Sequence, residues 1–156
     1  MDLETYRKYW HAVSPRMLEL MAALHAALAD ILPDEGLSIT KPILMTNADE
    51  WSVSMDIKQN SSDASILGLD FKLLDGDIQD GDGGCGIALT LTGYTGLLMG
   101  GYYPGNYTPE AFTDDEAVLL ERVEGLPLDR FPELVRSALK NPVLLNTLKE
   151  DGINLH

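Results

Sequence analysis

The stretch Trp51-Ser52-Val53-Ser54-Met55-Asp56-Ile57-Lys58 decides the reading of the fold, with apolar residues at its odd positions and polar ones at its even positions. A period of two places all the large apolar groups on one face of a β-strand. The run Ser65 to Leu73 repeats the pattern, with Leu67, Leu69, Phe71 and Leu73 facing one way and Ile66, Gly68, Asp70 and Lys72 the other. From Ile87 to Tyr94, Ile87, Leu89 and Leu91 alternate with Ala88, Thr90 and Thr92. A slip of one residue would expose each apolar face, so the register is well specified.

The links between these runs fix their direction. Asn60-Ser61-Ser62-Asp63 has turn composition, and Asp75-Gly76-Asp77-Ile78-Gln79-Asp80-Gly81-Asp82-Gly83-Gly84 joins the second run to the third. A parallel crossover needs about a dozen residues or more, usually a helix, so links this short predict antiparallel neighbours. The expected sheet is a meander with one apolar and one more polar face.

Outward from the centre, Leu37 to Thr46 is a further strand, with Leu37, Ile39 and Ile43 spaced by twos. Pro42 cannot donate to a ladder, which predicts an edge or a bulge. Asn47-Ala48-Asp49-Glu50 turns the chain back into Trp51. On the other side, Leu97 to Tyr103 is read as a fifth strand running into the glycine- and tyrosine-rich segment that ends at Tyr107.

Helices flank this core. Leu3 to Val13 can form a short helix with Tyr6, Tyr9, Trp10 and Val13 on one side. Those aromatics are read as core, with a dimer face as the other reading. Ser14-Pro15 resembles a helix start, with Ser as N-cap and Pro at the first helical position. From Pro15 to Leu32, the residues Leu18, Met21, Ala22, His25, Leu28, Ala29 and Leu32 follow three-four spacing. One longer helix kinked at Ser14-Pro15 is the alternative. After Thr108-Pro109-Glu110, read as a helical turn, Thr113-Asp114-Asp115-Glu116 is a capping-box signature, with Thr113 as cap and Glu116 reaching back. A helix to Val123 follows. Leu128 to Leu139 is the next, with Phe131, Leu134, Val135 and Leu139 on one face. Asn141-Pro142 caps a last short helix with Val143, Leu144 and Leu148 inward, stopped by Asp151-Gly152. The expected fold is therefore α+β: an N-terminal helix, single or split in two at Ser14-Pro15, an antiparallel meander of four to five strands over residues 37–103, and C-terminal helices.

The 156 residues fit a single domain, 1–156. A chain of this size buries roughly 68–70% of its unfolded surface, enough for a core without staples. Cys85 is the one cysteine, so no internal disulfide forms, which suits a reducing cytoplasm. No basic region followed by an apolar core opens the chain, so no signal peptide is expected. No uncharged apolar run approaches the roughly 18–20 residues of a membrane span. Asn60-Ser61-Ser62 and Asn106-Tyr107-Thr108 match the glycosylation pattern, and with no secretion signal they read as chance matches.

Net charge is −14, from 25 acidic and 11 basic residues. Nucleic acid and anionic membranes need clustered Lys or Arg, so neither is an expected direct ligand. The distribution is lopsided. No Lys or Arg lies between Lys72 and Arg122, an interval that holds Asp75, Asp77, Asp80, Asp82, Glu110, Asp114, Asp115, Glu116 and Glu121.

No motif for catalysis stands out. Alternating aspartates with glycine suit Ca²⁺, but counted from Asp75 the sixth position is Asp80 where glycine is needed, and the twelfth is Gly86 where a glutamate is required. No metal is assigned there. Asp75-Gly76-Asp77 also matches the DxD of nucleotide-sugar transferases, without the basic residues that would hold a diphosphate. Gly83-Gly84-Cys85-Gly86 precedes a strand, whereas phosphate loops open a helix. Cys85 has no basic neighbour in sequence and reads as a small strand residue. His11, His25 and His156 show no zinc-binding spacing.

These features favour binding over chemistry. The expectation is an acidic inhibitor or immunity-type factor that blocks a basic partner protein, such as a nuclease toxin or a nucleic-acid-binding machine, with the acidic surface as a nucleic-acid mimic. The expected contacts are Asp75, Asp77, Asp80 and Asp82, the patch Asp114, Asp115 and Glu116, and Tyr102, Tyr103 and Tyr107 as aromatic anchors. Cytoplasmic location, no cofactor and no catalytic residue go with this reading. Homo-oligomerisation is left open. The alternatives are a small enzyme with a carboxylate in a pocket between sheet and helices, and a non-catalytic assembly or accessory protein.

Overall fold

A computed structural model of the chain describes residues 1–47, 50–78, 83–102 and 109–155. The alternating runs form the strands expected of them: β3 (Trp51–Gln59), β4 (Ser65–Asp75) and β5 (Cys85–Gly93). They pair antiparallel, with Val53 opposite Phe71 and Phe71 opposite Leu89. Both edges add to them. β6 (Leu98–Tyr102) pairs with β5, and β1 (Leu37–Ile39) and β2 (Ile43–Thr46) both pair with β3. The sheet thus has six strands, five of them in the order β1-β3-β4-β5-β6 with β2 beside β3.

The sixth strand arises because one expected strand is broken at Pro42. The Thr40 amide donates to Asp56 O at 2.9 Å, and its hydroxyl accepts from Asp56 N at 2.8 Å. The chain leaves the ladder at Lys41-Pro42, where proline has no N–H to give, and rejoins at Ile43.

The N-terminal segment is one helix, α1 (Leu3–Ala29), with Pro15 inside it on the solvent side. Asp2 is its N-cap and accepts from Thr5 N at 2.8 Å. Because α1 is continuous, its first half sets the phase of the second. The buried stripe runs Tyr6, Tyr9, Trp10, Val13, Met17, Met21, Leu24, Leu28. That corrects the expected stripe: Leu18 is 38% exposed, and Ala22 and Ala29 also face solvent. The aromatics at its start belong to the core. Trp10 and Tyr6 both meet Trp51 edge-on, with ring centroids at 5.8 and 5.2 Å.

Three C-terminal helices complete the layer: α2 (Glu116–Gly125), α3 (Phe131–Leu139) and α4 (Pro142–Glu150). Asp115, and not Thr113, caps α2, accepting from Ala117 N at 2.9 Å. Asn141 caps α4 as expected, accepting from Val143 N at 2.9 Å. Leu144 and Leu148 point inward, whereas Val143 is 57% exposed. All four helices contribute to one core with Val53, Met55, Ile57, Leu67, Leu69, Phe71 and Leu89 from the odd-numbered sheet face. Each such fully buried side chain contributes about 1.5–3 kcal/mol of hydrophobic free energy.

The even-numbered face looks away from the helices, except at Ile66, which was expected on that face but sits at the bulge opposite Ile57 and Lys58 and is fully buried in the main core. At its β4–β5 end it carries a small second cluster, Leu74 and Ala88 under Ala111 and Phe112. Ala111 and Phe112 therefore lie on the outer face. None of the described helices is long and apolar enough to cross a membrane.

Candidate partner-binding surface

The acidic segments that lie far apart in sequence meet at one end of the molecule. The glycine run before β5 makes this possible. Cys85 and Thr113 exchange two backbone hydrogen bonds, Cys85 N to Thr113 O at 2.8 Å and Thr113 N to Cys85 O at 2.9 Å. At Gly84, with φ of 72° in the left-handed region, a Cβ would lie 2.5 Å from Thr113 O and 2.9 Å from Asp114 N. At Gly86 a Cβ would press on Ala111 O and the Phe112 ring, each at 3.1 Å. The run that resembled a phosphate loop is thus where the segment 111–114 lies flat on the start of β5.

The start of α1 joins this pole. The Met1 ammonium donates to the Asp77 carboxylate and lies 3.8 Å from Asp75 Oδ2. The Tyr9 hydroxyl donates to Asp114 O at 2.9 Å, and burial followed by the Asp114 charge raises its phenol. Lys8 reaches Glu116 at 3.9 Å. The pole therefore presents Asp77, Asp114 and Asp115 to solvent, with Glu116 half-exposed beside Lys8. Asp2 and Glu4 add charge from the first turn of α1, where Arg7 and Lys8 oppose it.

Not every expected contact residue is on that surface. Asp75 is only 5% exposed. Its carboxylate turns inward and accepts from Asp77 N at 2.9 Å, closing the turn that starts the loop. Asp115 is exposed and serves as the α2 cap at the same time. Tyr102 is half-buried, with its ring 5.4 Å from that of Phe131 on α3, so it faces the helix layer. Asp80, Asp82, Tyr103 and Tyr107 lie outside the described residues.

The rest of the outer face carries polar groups that no motif in the sequence singles out. Ser54 Oγ donates to Asp70 Oδ1 at 2.5 Å, and the Ser52 and Ser54 hydroxyls lie 3.0 Å apart. Above Gly68, Asp56 Oδ1 and Asp70 Oδ2 stand 3.7 and 4.0 Å from where a Cβ would sit. Two shallow hollows, about 330 and 150 Å³, share Asp56 and Asp70. Lys72, on the same face, is held by Glu50 at 2.9 Å. The signal was present in the polar even positions of β3 and β4, which alternation marks as outward without saying whether anything binds there.

Cys85 opens β5 fully buried, and burial, with Asp75 adding, pushes its thiol up to about 12. A thiol so raised is no nucleophile near neutral pH. Compared with known protein families, curated proteins and solved structures, the chain finds no match in any of the three.

Proposed function

We propose that the protein works by binding a basic partner protein, as an acidic inhibitor or immunity-type factor that covers the partner's cationic surface. A nuclease or another nucleic-acid-binding protein is the fitting class of partner, because its active surface already accepts a line of negative charge. The observation that carries this reading is the meeting of two acidic segments, Asp77 on one and Asp114 and Asp115 on the other, through the Cys85–Thr113 backbone pair. Both belong to the interval between Lys72 and Arg122 that holds no cation.

Exposed carboxylates gathered on one surface repel one another and gain from a partner that neutralises them. Their field also speeds encounter with an oppositely charged surface. Each exposed pair contributes little to affinity by itself, so the gain is mainly in association rate and in exclusion of anionic competitors. The function requires no cofactor and no catalytic group. The test is capture of the partner by the tagged protein at low and at high salt. The proposal expects a basic protein retained at low salt and weakened at high salt. Retention of a partner with no salt dependence would remove the electrostatic basis of the reading.

A further inference from the structure

We infer that a cleft remote from the acidic pole binds a small zwitterion with an aliphatic side chain, an α-amino acid either free or in a short peptide. The cleft lies between the 3₁₀ turn Leu32–Glu35, the last turn of α3 and the segment around Leu155. Its volume is about 360 Å³, within the span of roughly 300–1,000 Å³ of small-molecule sites.

Its floor is apolar. Leu32, Leu37 and Val135 are each no more than 2% exposed. Ile31, Leu139 and Leu155 stand half-buried around them. An aliphatic group placed there would complete a surface that the chain itself leaves partly open to water.

The rim carries charge of both signs on opposite banks. Asp34 and Glu35 stand exposed on the 3₁₀ turn, and Arg136 and Lys140 stand exposed at the end of α3. The banks do not reach one another. Among the described residues no ion pair joins them, and Arg136 leans back to Glu133 at 3.6 Å. A simple anion would meet Arg136 and Lys140 but be opposed by Asp34 and Glu35, and a simple cation would meet the reverse. A molecule with a carboxylate, an ammonium and an apolar side chain satisfies both banks and the floor together.

The frame is held in place without a ligand. Gly36 N donates to Pro33 O at 3.1 Å, and Asn60 N donates to Gly36 O at 3.0 Å, which fixes the turn against the end of β3. Gln59 Nε2 donates to Asn154 O at 2.7 Å and Ile153 N to Leu148 O at 2.9 Å, which fixes the third wall. A preformed cleft loses little conformational freedom on binding.

The test is titration of the ¹⁵N-labelled full chain, followed by amide shifts, with L-leucine and with the dipeptide Leu-Leu. Glycine, N-acetyl-leucine and leucinamide serve as probes lacking the side chain, the ammonium and the free carboxylate. Saturable shifts at residues 31–37 and 135–140 are expected with leucine or Leu-Leu, and the tighter of the two tells the free amino acid from the peptide. Each lacking probe should bind at least about tenfold more weakly. So should the variants Arg136→Gln with Lys140→Gln and Asp34→Asn with Glu35→Gln, whose positions are exposed and whose own spectra report folding. No shift at the cleft with either leucine or Leu-Leu overturns the inference. Binding of N-acetyl-leucine and leucinamide as tight as that of leucine, or wild-type binding by both folded double variants, does the same.

Discussion

Asp75 and Asp77 sit two residues apart in one loop and do different work. Asp75 is buried and holds the turn, whereas the Asp77 side chain is 52% exposed. Removing a buried acceptor leaves its donor unpaired, at a cost of about 1–3 kcal/mol. An exposed carboxylate with one ion pair contributes roughly 0–1 kcal/mol. Asp75→Ala should therefore lower the urea midpoint clearly and Asp77→Ala only slightly. Equal midpoints would show that Asp75 does not hold the turn. The same buried corner contains Cys85, whose thiol is raised to about 12 by burial. An unfolded thiol titrates near 8.5, so the unfolded chain gives up its proton first as pH rises. The thiol's contribution to stability is complete below that pH and is lost progressively towards about 12. Iodoacetamide at pH 8 should accordingly modify the native protein slowly and the urea-unfolded chain fast. Equal rates would place the thiol at the surface.

At the scale of elements, the strands were legible and the phase of the long helix was not. Alternation located β3, β4 and β5 because each turns its large odd-numbered side chains to the helix layer, even in β5 where the outer face is covered too, and a period of two leaves a single choice of face. In α1 the Ala-rich half, from Leu18 to Ala29, offers several weakly apolar stripes. Only its continuity with Tyr6, Trp10 and Val13 through Pro15 selects Met17, Met21, Leu24 and Leu28. Ser14-Pro15 is a valid helix start locally, and the packing of α1 on the sheet overrides it. The α2 cap shifted from Thr113 to Asp115 because Thr113 is engaged by Cys85, a contact between residues 28 apart that no local pattern encodes. The same contact explains why the acidic pole could be named in sequence only as two separate patches. Gly84 is its weak point: with φ of 72° and backbone at 2.5 Å, a methyl group has no room. Gly84→Ala should cost about 1–3 kcal/mol of strain at that conformation and separate the two acidic segments. Loss of hydrogen-exchange protection at Cys85 and Thr113, with β3 and β4 still protected, is the expected signature. Unchanged protection at both residues would contradict the role given to Gly84.

The whole molecule is a six-stranded sheet with one helix layer, and its charge is organised by that architecture. The helices take the apolar face and carry cations such as Arg16, whose guanidinium binds Glu124 and holds that carboxyl below the usual range. The hairpin end and the segment 111–116 gather Asp75, Asp77, Asp114, Asp115 and Glu116, against which the Met1 ammonium, Lys8 and Arg122 stand. A surface of this kind is a long-range device. It acts through solvent over about a Debye length, near 8 Å at physiological ionic strength, and salt weakens it. The most direct test is partner capture at low salt by the wild type and by the triple variant Asp77→Asn, Asp114→Asn, Asp115→Asn. Asparagine caps a helix as well as aspartate does, so α2 survives the change. Asp75 is left intact to keep the turn closed. The account predicts that the folded variant loses the basic partner, or holds it at least about tenfold more weakly. Retention of the partner at wild-type strength by the folded variant would contradict it.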